Sequence, residues 1–374
     1  MRILIATMTA GGGHLAAAAA LDETWHTLRP RDTVERLDLV KFFSPLHRKI
    51  HADGYVRLVE RAPELWGLLF AKTDNLRAAR RLNRIQRLFP GRSRLRFTRF
   101  VSEFKPDAVL CTHYAPLDVL GAMRWKRRGP QPFVASVVTD FEAHALWMDA
   151  GVDLYCVAAE ETQARLVARG AAAENVLATG IPIAAKFAAK VDSRAVRRTL
   201  GLRDDLPTLL VLSGGFGMGP VGKILGELDK VAREFQTLVV CGRNEDLRRE
   251  LAAQDWKHPT RVLGFASNMH ELMTVAELII SKPGGLTSSE ALALGRPMMI
   301  LDPIPGQEAA NSDFLLEHGA AAKVNRVEDL PFRLEQLLGS KKLSEMGRAA
   351  KRLGRPDAAS AVCCEVLARA QSPA

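Results

Sequence analysis

The sequence predicts an α/β protein built from two doubly wound, Rossmann-like domains. Three observations support this prediction. The chain has 374 residues, which is too long for one ordinary hydrophobic core. Short apolar runs typical of strands alternate with helical patterns, and each half opens with a strand that is followed by glycines. This alternation gives parallel sheets, and we expect the two domains to face one another across a cleft.

The first half contains five candidate strands. In chain order they read MRILIAT, TVERLDL, DAVLCTH, FVASVVTD and LYCVAA. The glycine-rich loop TAGGGH (residues 9–14) follows the first strand and leads into an alanine-rich helix. Because ligands collect at the carboxyl ends of parallel strands, this loop is predicted to lie at a ligand site.

The second half repeats the same order of elements. Its candidate strands read TLLVLSG, TLVVCG, TRVLGF, LIISK and PMMILD, and the loop SGGFGMG (residues 213–219) follows the first. The pattern resets near Thr179-Gly180-Ile181-Pro182. We therefore predict an N-terminal domain at 1–183 and a C-terminal domain at 184–355. A last helix follows at 356–374, for which packing on the N-terminal domain is one option.

The bulk composition is typical of a globular protein without membrane-spanning segments. Hydrophobic residues make up 47% and charged residues 25%, and no apolar run approaches the roughly 20 residues that span a bilayer. The first residues read as a strand rather than a signal peptide. The five cysteines have no CxxC spacing, which indicates free thiols in a reducing compartment rather than zinc ligands or disulfides.

The net charge of +10 is concentrated in one segment. Residues 41–105 hold sixteen Lys/Arg against five Asp/Glu, with apolar side chains interleaved at helical spacing. Such a segment suits an anionic membrane surface, a nucleic acid, or a solvated helix face. The side chains that we select as candidates for membrane contact are Trp66, Leu69, Phe70, Arg77, Arg80, Arg81 and Arg84.

Neither glycine loop carries a known nucleotide fingerprint. A dinucleotide site needs GxGxxG with an acid after the second strand, and a Walker site needs Gly-Lys-Ser/Thr. Asp38 supplies the acid in the first half, but the glycine spacing is absent, and the corresponding strand of the second half ends in Cys241-Gly242-Arg243. NAD and ATP are therefore disfavoured as ligands.

The stretch from 281 to 311 indicates a nucleotide sugar. Pro283-Gly284-Gly285 forms a turn after a strand, and we expect Glu290 in the first turn of the next helix. There its carboxylate suits two ribose hydroxyls, although an acid at that place also complements a helix dipole. After the next strand, Gln307, Glu308 and Asn311 offer polar groups that suit sugar hydroxyls.

Several blocks together resemble one family. KPGGLTSSEALALGRPMMILDPIPGQEAAN is similar to the donor-binding signature of glycosyltransferases with the GT-B fold. TAGGGHLAAAAAL, VVTDFEAHALWMDAGVDLYCVA and TGIPI resemble the monogalactosyldiacylglycerol synthase and processive diacylglycerol glucosyltransferase family, which is related to the peptidoglycan N-acetylglucosaminyltransferase. The resemblance extends from residue 1 to about residue 355, and it implies two Rossmann-like domains on either side of a cleft.

The resemblance also implies roles for individual residues. His14 corresponds to the general base, and Asp140 to a residue that orients His14 or binds the acceptor. Acceptor contacts are implied for Gly12, Gly13, His144 and Trp147. Donor contacts are implied for Gly215, Phe216, Gly217, Arg243, Phe265, Lys282, Gly284, Gly285, Glu290, Gln307, Glu308 and Asn311.

The implied activity is inverting transfer of glucose or galactose from a UDP-sugar to diacylglycerol or a related membrane lipid. The enzyme is expected at the cytoplasmic side of a membrane as a peripheral protein. No Asp-x-Asp motif is present, so neither a metal nor another cofactor is expected. Two alternatives remain: a GT-B enzyme acting on a polyprenyl-linked or soluble acceptor, and a non-catalytic nucleic-acid-binding protein. The second leaves the donor block unexplained, so we expect no nucleic-acid partner. The oligomeric state stays open.

Overall fold

The computed structural model describes residues 1–9, 12–44, 62–75, 91–126, 129, 131–214 and 219–371. The chain divides into two compact units. The first unit comprises Met1–Ala185, Ile304–Gln307 and Asp357–Ala374. The second unit comprises Lys186–Pro303 and Glu308–Pro356.

The first unit is built on a six-stranded parallel sheet with the order β2-β1-β3-β4-β5-β6. Its strands are β1 Arg2–Thr7, β2 Thr33–Asp38, β3 Ala108–Cys111, β4 Phe133–Val137, β5 Leu154–Val157 and β6 Val176–Ala178. The chain moves from β1 outward to β2 and then returns to β3 on the other side of β1. The loops after β1 and β3 therefore diverge, and such a switch point leaves a crevice at the carboxyl ends of the strands.

The second unit has a second six-stranded parallel sheet, with the order β12-β11-β10-β7-β8-β9. Its strands are β7 Thr208–Leu212, β8 Gln236–Val240, β9 Thr260–Leu263, β10 Leu278–Ser281, β11 Met298–Leu301 and β12 Ala321–Val324. The switch point lies between β7 and β10. The prediction of two doubly wound parallel sheets is confirmed.

Helices connect successive strands in both units. In chain order they are α1 Gly12–Leu28, α2 Pro63–Thr73, α3 Arg92–Phe104, α4 Ala115–Trp125, α5 Glu160–Ala168, α6 Ser193–Thr199, α7 Val221–Leu228, α8 Glu245–Ala252, α9 Met269–Thr274, α10 Gly285–Ala293, α11 Gln307–Glu317, α12 Leu330–Leu337, α13 Lys341–Leu353 and α14 Ala358–Ala370. Among the residues that the structure describes, no helix has the length and apolar character needed to cross a membrane.

Helix α14 belongs to the core of the first unit. Val362, Cys363 and Val366 are fully buried with Ile3 and Trp25 on one face of the sheet. The thiol of Cys363 lies 3.8 Å from the carbonyl oxygen of Leu21 in α1. The last helix therefore packs beside α1 and completes a layer that the N-terminal segment alone would leave open.

Candidate active site

The switch point of the first sheet positions His14. Helix α1 begins at Gly12 behind the loop that follows β1, and His14 is its third residue. A side chain at Gly12 would meet no atom of the described residues within 4 Å, so their packing does not explain the glycine there. Open space beside the first turn of a helix suits an approaching substrate. This agrees with the position implied for Gly12, while acceptor contacts of Gly12 and Gly13 stay predictions.

Two oxygen atoms hold one nitrogen of the His14 ring. Nδ1 lies 2.8 Å from the carbonyl oxygen of Thr112 and 2.8 Å from the hydroxyl oxygen of Thr139. The hydroxyl of Thr112 also donates to the backbone carbonyl of His14, at 3.0 Å. Thr112 directly follows β3, and Thr139 lies two residues after β4. Three strand ends thus fix the position of the ring.

The electrostatic surroundings of His14 balance burial against negative charge. Burial lowers the pKa of His14 below its usual value of 6.5, whereas the charge of Asp140 and the Thr112 carbonyl act to raise this pKa. Asp140 therefore influences the ring through its charge. The hydrogen-bonding atoms around Nδ1 belong to Thr112 and Thr139, and a role of Asp140 in orienting His14 or binding the acceptor stays a prediction.

Two aromatic rings, those of His113 and Trp147, pack near the His14 ring. His113 is buried and packs edge-on, with its ring centroid 4.8 Å from that of His14. The Trp147 ring lies 6.4 Å from His14 and 6.1 Å from Tyr114. Only 3% of Trp147 is exposed, so in this structure it forms the wall behind His14. Direct contact between Trp147 and an acceptor stays a prediction.

His144 has a structural role that differs from the acceptor contact implied by the resemblance. Its Nδ1 accepts from the amide of Leu146 at 3.1 Å, and its Nε2 lies 3.0 Å from the carbonyl of Phe70. Burial lowers the pKa of His144, which favours a neutral ring. Because both nitrogens are occupied by backbone atoms, His144 ties the end of α2 to the 143–147 block instead of binding a ligand.

An ion pair reinforces this connection. Arg169 donates to both carboxylate oxygens of Asp74, at 2.9 and 2.8 Å, and Asp74 also accepts from the amide of Ala145 at 2.7 Å. The end of α2 is thus held at two points. His144 contacts the carbonyl of Phe70, and Arg169 binds the carboxylate of Asp74, the C-cap residue.

Asp38 serves the first loop rather than a ribose. Its carboxylate accepts from the amide and hydroxyl of Thr9 and from the amide of Val40. These bonds fix the end of β1 next to the glycine loop.

The switch point of the second sheet presents a helix N-terminus. Helix α10 starts at Gly285 after the turn that follows β10, and Gly284 is its N-cap. In the described part of the chain, no side chain caps this end, and its first turn has no acid. The φ of Gly284 is −63°, and a Cβ there would meet nothing within 4 Å. Among the described residues, neither backbone strain nor packing requires this glycine, and backbone amides at a helix N-terminus suit a diphosphate.

Glu290 lies in the second turn of α10, not in the first as the sequence suggested. It is the sixth residue of the helix, too far from the N-terminus to complement the dipole. Burial raises the pKa of Glu290 to about 8, and the nearby charge of Lys186 opposes this shift. A half-buried carboxyl group with so little compensation is typical of a ligand site.

The polar residues after β11 differ in exposure. Gln307 and Glu308 begin α11 and are half-buried. Asn311 is fully buried, and its amide donates to the carbonyl of Pro283 at 3.0 Å. This bond gives Asn311 a role in holding the Pro283-Gly284 turn, while contacts of these three residues with a sugar stay predictions.

An exposed aromatic side chain lies near the ends of β8 and β9. Phe265 is 64% exposed, and the guanidinium carbon of Arg243 lies 5.4 Å from its ring centroid. An open ring beside an arginine suits stacking of a base. Lys282, at the end of β10, is half-buried. Gly215, Phe216 and Gly217 lie outside the described residues.

Helix α2 presents a different apolar face from the one selected in the sequence. Leu65 and Leu68 are 49% and 52% exposed. Trp66 and Phe70 are half-buried, and the Phe70 ring packs 4.5 Å from that of His144. Trp66 and Phe70 are therefore packing residues, and Leu65 and Leu68 replace them as candidates for membrane contact. The side chain of Leu69 and residues Arg77, Arg80, Arg81 and Arg84 lie outside the described residues.

Sequence reasoning missed Thr112, His113 and Thr139. All three follow strand ends of the first sheet, in DAVLCTH and FVASVVTD. They could have been found from the rule that ligands collect at the carboxyl ends of parallel strands.

Two doubly wound units, one with a histidine at its switch point and the other with a helix N-terminus and a half-buried carboxyl there, have the architecture of proteins with the GT-B fold. The fold is shared with solved structures. MurG of Acinetobacter baumannii superimposes with a TM-score of 0.63 at 17% identity, covering 98% of this chain and 99% of that one. The UDP-GlcNAc 2-epimerase of Neisseria meningitidis gives a TM-score of 0.60 at 14% identity, covering 99% and 100%.

Sequence comparison specifies the family. Residues 14–183 match monogalactosyldiacylglycerol (MGDG) synthase, and residues 213–362 match the glycosyltransferase family 28 C-terminal domain. The processive diacylglycerol beta-glucosyltransferase of Bacillus licheniformis is 30% identical over 372 residues, 99% of this chain and 95% of the relative. The enzyme of the same name from Bacillus pumilus is 30% identical over 355 residues, which cover 94% of this chain and 91% of the relative. The chain belongs to the monogalactosyldiacylglycerol synthase and processive diacylglycerol glucosyltransferase family.

Proposed function

We propose that this protein is an inverting glycosyltransferase that transfers a hexose from a UDP-sugar to diacylglycerol and thereby makes a glycolipid. Its family membership and the names of its relatives support this activity. The observation that carries the proposal is the His14 ring, which is held by Nδ1 at a sheet switch point and leaves Nε2 for an acceptor. The relatives' names make UDP-glucose the first donor to test.

His14 acts as the general base. Its Nε2 accepts the proton of the acceptor hydroxyl as that oxygen forms a bond to the anomeric carbon of the sugar. The bond between the anomeric carbon and the β-phosphate oxygen breaks, and UDP departs with the electron pair. Because the attack comes from the face opposite UDP, the configuration is inverted.

The second unit stabilises the departing diphosphate. The backbone amides that begin α10 point toward the space beside Gly284, and the helix dipole adds partial positive charge there. Lys282 supplies a full positive charge from the preceding strand end. Charge stabilisation of this kind does not require a metal ion. Glu290 binds the ribose hydroxyls, and Phe265 stacks on the uracil.

The acceptor requires access to a membrane. Leu65 and Leu68 are exposed apolar side chains on α2, a helix whose C-terminal end contacts the 143–147 block through Asp74. The basic segment 41–105 adds attraction to anionic lipid headgroups. We infer a peripheral position on the cytoplasmic face, where the four buried, unbridged thiols also suit a reducing compartment.

One assay tests the function directly. Purified protein is incubated with UDP-glucose, UDP-galactose or UDP-N-acetylglucosamine and diacylglycerol vesicles, and the lipid products are separated. A hexosyl diacylglycerol that the His14→Ala variant fails to form supports the proposal. Transfer to a polyprenyl phosphate lipid but not to diacylglycerol would instead identify the other acceptor class. Binding of UDP-sugar without transfer to either lipid would reject both.

A further inference from the structure

The His14 ring can act as a base only at the nitrogen that carries no proton. The contacts of Nδ1 indicate which nitrogen that is. Nδ1 has two oxygen neighbours at 2.8 Å, the carbonyl of Thr112 and the hydroxyl of Thr139. A carbonyl oxygen only accepts hydrogen bonds. Nδ1 must therefore carry a proton, because a bare Nδ1 would direct its lone pair at the Thr112 oxygen.

The Thr139 hydroxyl can donate or accept, so it adapts to the tautomer that the Thr112 carbonyl selects and serves as a second acceptor. With the proton on Nδ1, the N–H group is shared between the two oxygens. A neutral imidazole has only one N–H, so Nε2 is then a bare acceptor, which is the form that a general base requires. When Nε2 later takes a proton, both oxygens face the N–H of a cation, and such charge-assisted hydrogen bonds are stronger.

We propose that Thr139 is a positioning residue whose hydroxyl oxygen, together with the Thr112 carbonyl, keeps the proton of the neutral His14 ring on Nδ1 and presents Nε2 to the acceptor. This inference rests on the proposed function for its kinetic part only. The orientation is built into the sheet, since Thr139 is buried and leaves β4 beside β3. Asp140 supplies charge near the ring, whereas Thr139 and Thr112 determine which nitrogen is bare.

Three variants separate the hydroxyl from the packing of the side chain. Thr139→Val keeps the shape and removes the hydroxyl, and Thr139→Ser keeps the hydroxyl and removes the methyl group. Thr7→Val is the matched control. Thr7 is a buried threonine at the end of β1 in the same sheet, and its hydroxyl has no hydrogen-bond partner among the described residues.

We expect Thr139→Val to lower kcat by about tenfold with an unchanged KM for the UDP-sugar, because one hydrogen bond to the developing imidazolium is lost. Thr139→Ser should retain turnover within about threefold of the parent, and Thr7→Val should equal the parent. Turnover of Thr139→Val within about twofold of the parent would overturn the proposal. Equal impairment of the Val and Ser variants would do the same, since packing would then explain both.

A spectroscopic measurement tests the proton position without any activity. The full-length protein is labelled with ¹⁵N-histidine, and the His14 resonances are assigned by their loss in His14→Ala. At alkaline pH, where the ring is neutral, the parent should show a protonated Nδ1 and a bare Nε2. Thr139→Val should keep the proton on Nδ1, because the Thr112 carbonyl remains, but its Nδ1 resonance should shift because one hydrogen-bond partner is lost. An unchanged Nδ1 resonance in Thr139→Val would overturn the role of Thr139. A parent ring protonated on Nε2 would overturn the proposal. Because this result does not depend on turnover, it stands apart from any failure to find the transferase substrate.

Discussion

At the scale of single residues, His14 combines two properties that a general base needs. It is neutral near physiological pH because burial lowers its pKa, and its ring cannot turn because Nδ1 is held by two oxygens. We predict that His14→Ala lowers turnover by at least about a hundredfold while UDP-sugar affinity is kept, since general-base loss has that range. Steady-state kinetics and calorimetry with UDP measure the two effects.

His26 provides the matched control for this prediction. It lies on the same helix, and its side chain is 53% exposed beside Asp22. His26→Ala should therefore turn over like the parent. If His14→Ala lost less than about threefold in turnover at neutral pH, His14 would be a structural residue.

Glu290 makes a pH-dependent contribution to stability. Its pKa is about 8 in the folded chain, against an ordinary value of 4.5. Below pH 4.5 Glu290 is protonated in both the folded and the unfolded chain, and the contribution of the protonated carboxyl group to the free energy of unfolding is fully present. As pH rises toward 8, the unfolded chain has already lost the proton that the folded chain retains, so this contribution is lost.

We therefore predict that the parent loses thermal stability relative to Glu290→Gln between about pH 5 and pH 8, and that the difference becomes constant above this range. Melting temperatures at matched ionic strength measure the difference. Glu250→Gln, an exposed carboxyl on α8, is the control and should stay parallel to the parent. If the melting temperatures of the parent and of Glu290→Gln changed with pH in parallel, Glu290 would ionise with an ordinary pKa.

At the scale of elements, α2 has two faces with different tasks. Phe70 packs against the protein, while Leu65 and Leu68 are exposed. We predict that the double variant Leu65→Ser, Leu68→Ser binds vesicles less well and is less active on them. Its activity on detergent-dispersed diacylglycerol should be unchanged, because only insertion into a bilayer needs these side chains. Sedimentation with vesicles and product assays in the two lipid forms test this.

An exposed apolar residue in the other unit gives the comparison. Phe332 on α12 is 63% exposed, and Phe332→Ser should not affect vesicle binding. Equal loss in both variants would mean that general surface hydrophobicity, rather than α2, mediates binding.

The sequence predicted long, strongly apolar elements better than short or mixed ones. All ten apolar runs correspond to strands in the structure. Strands β6 and β12 were missed, because VLA and AAKV are short and lie at sheet edges, where few apolar residues are needed. Helical spacing identified the apolar residues of α2 without showing which face is covered. Trp66 and Phe70 were therefore assigned to the membrane, although tertiary packing turns them inward.

The candidate site shows the same limit. His14 and Glu290 follow glycine turns and were identifiable from sequence. The partners of His14 were not, because Thr112 and Thr139 are 98 and 125 residues away along the chain and meet it only when the strands pair. His144 was misassigned for a similar reason, since its nitrogens are occupied by the backbone of Phe70 and Leu146.

At the scale of the whole molecule, the proposed reaction uses only protein groups. The leaving diphosphate is stabilised by the amides of α10 and by Lys282, and no Asp-x-Asp motif is present in the sequence. We predict that EDTA leaves kcat and KM unchanged and that added magnesium or manganese does not stimulate the enzyme. Inactivation by EDTA that manganese or magnesium reverses would contradict this account of the leaving group.

The charge distribution of the molecule leads to a further prediction about its location. The net charge is +10, and the segment 41–105 carries all of this excess, since the rest of the chain is near neutral. Each basic group near an anionic surface contributes about 1 kcal/mol, and salt screens this attraction over about 10 Å at 0.1 M. Several such groups combined with the apolar side chains of α2 are sufficient for reversible binding. The protein should therefore sediment with vesicles that contain anionic lipid, sediment little with zwitterionic vesicles, and be released by high salt.

Neutralising Arg77, Arg80, Arg81 and Arg84 to Gln isolates the electrostatic part of this binding. We expect weaker sedimentation and a smaller salt dependence, because fewer counterions are displaced, together with lower activity on anionic vesicles and normal activity on detergent-dispersed acceptor. Neutralising Arg249, which is exposed, and Arg248, which is half-buried, both on α8, provides a control in the other unit with the same kind of substitution. If the fourfold variant bound anionic vesicles as well as the parent, these arginines would make no contribution to membrane binding, and the basic segment would be merely solvated.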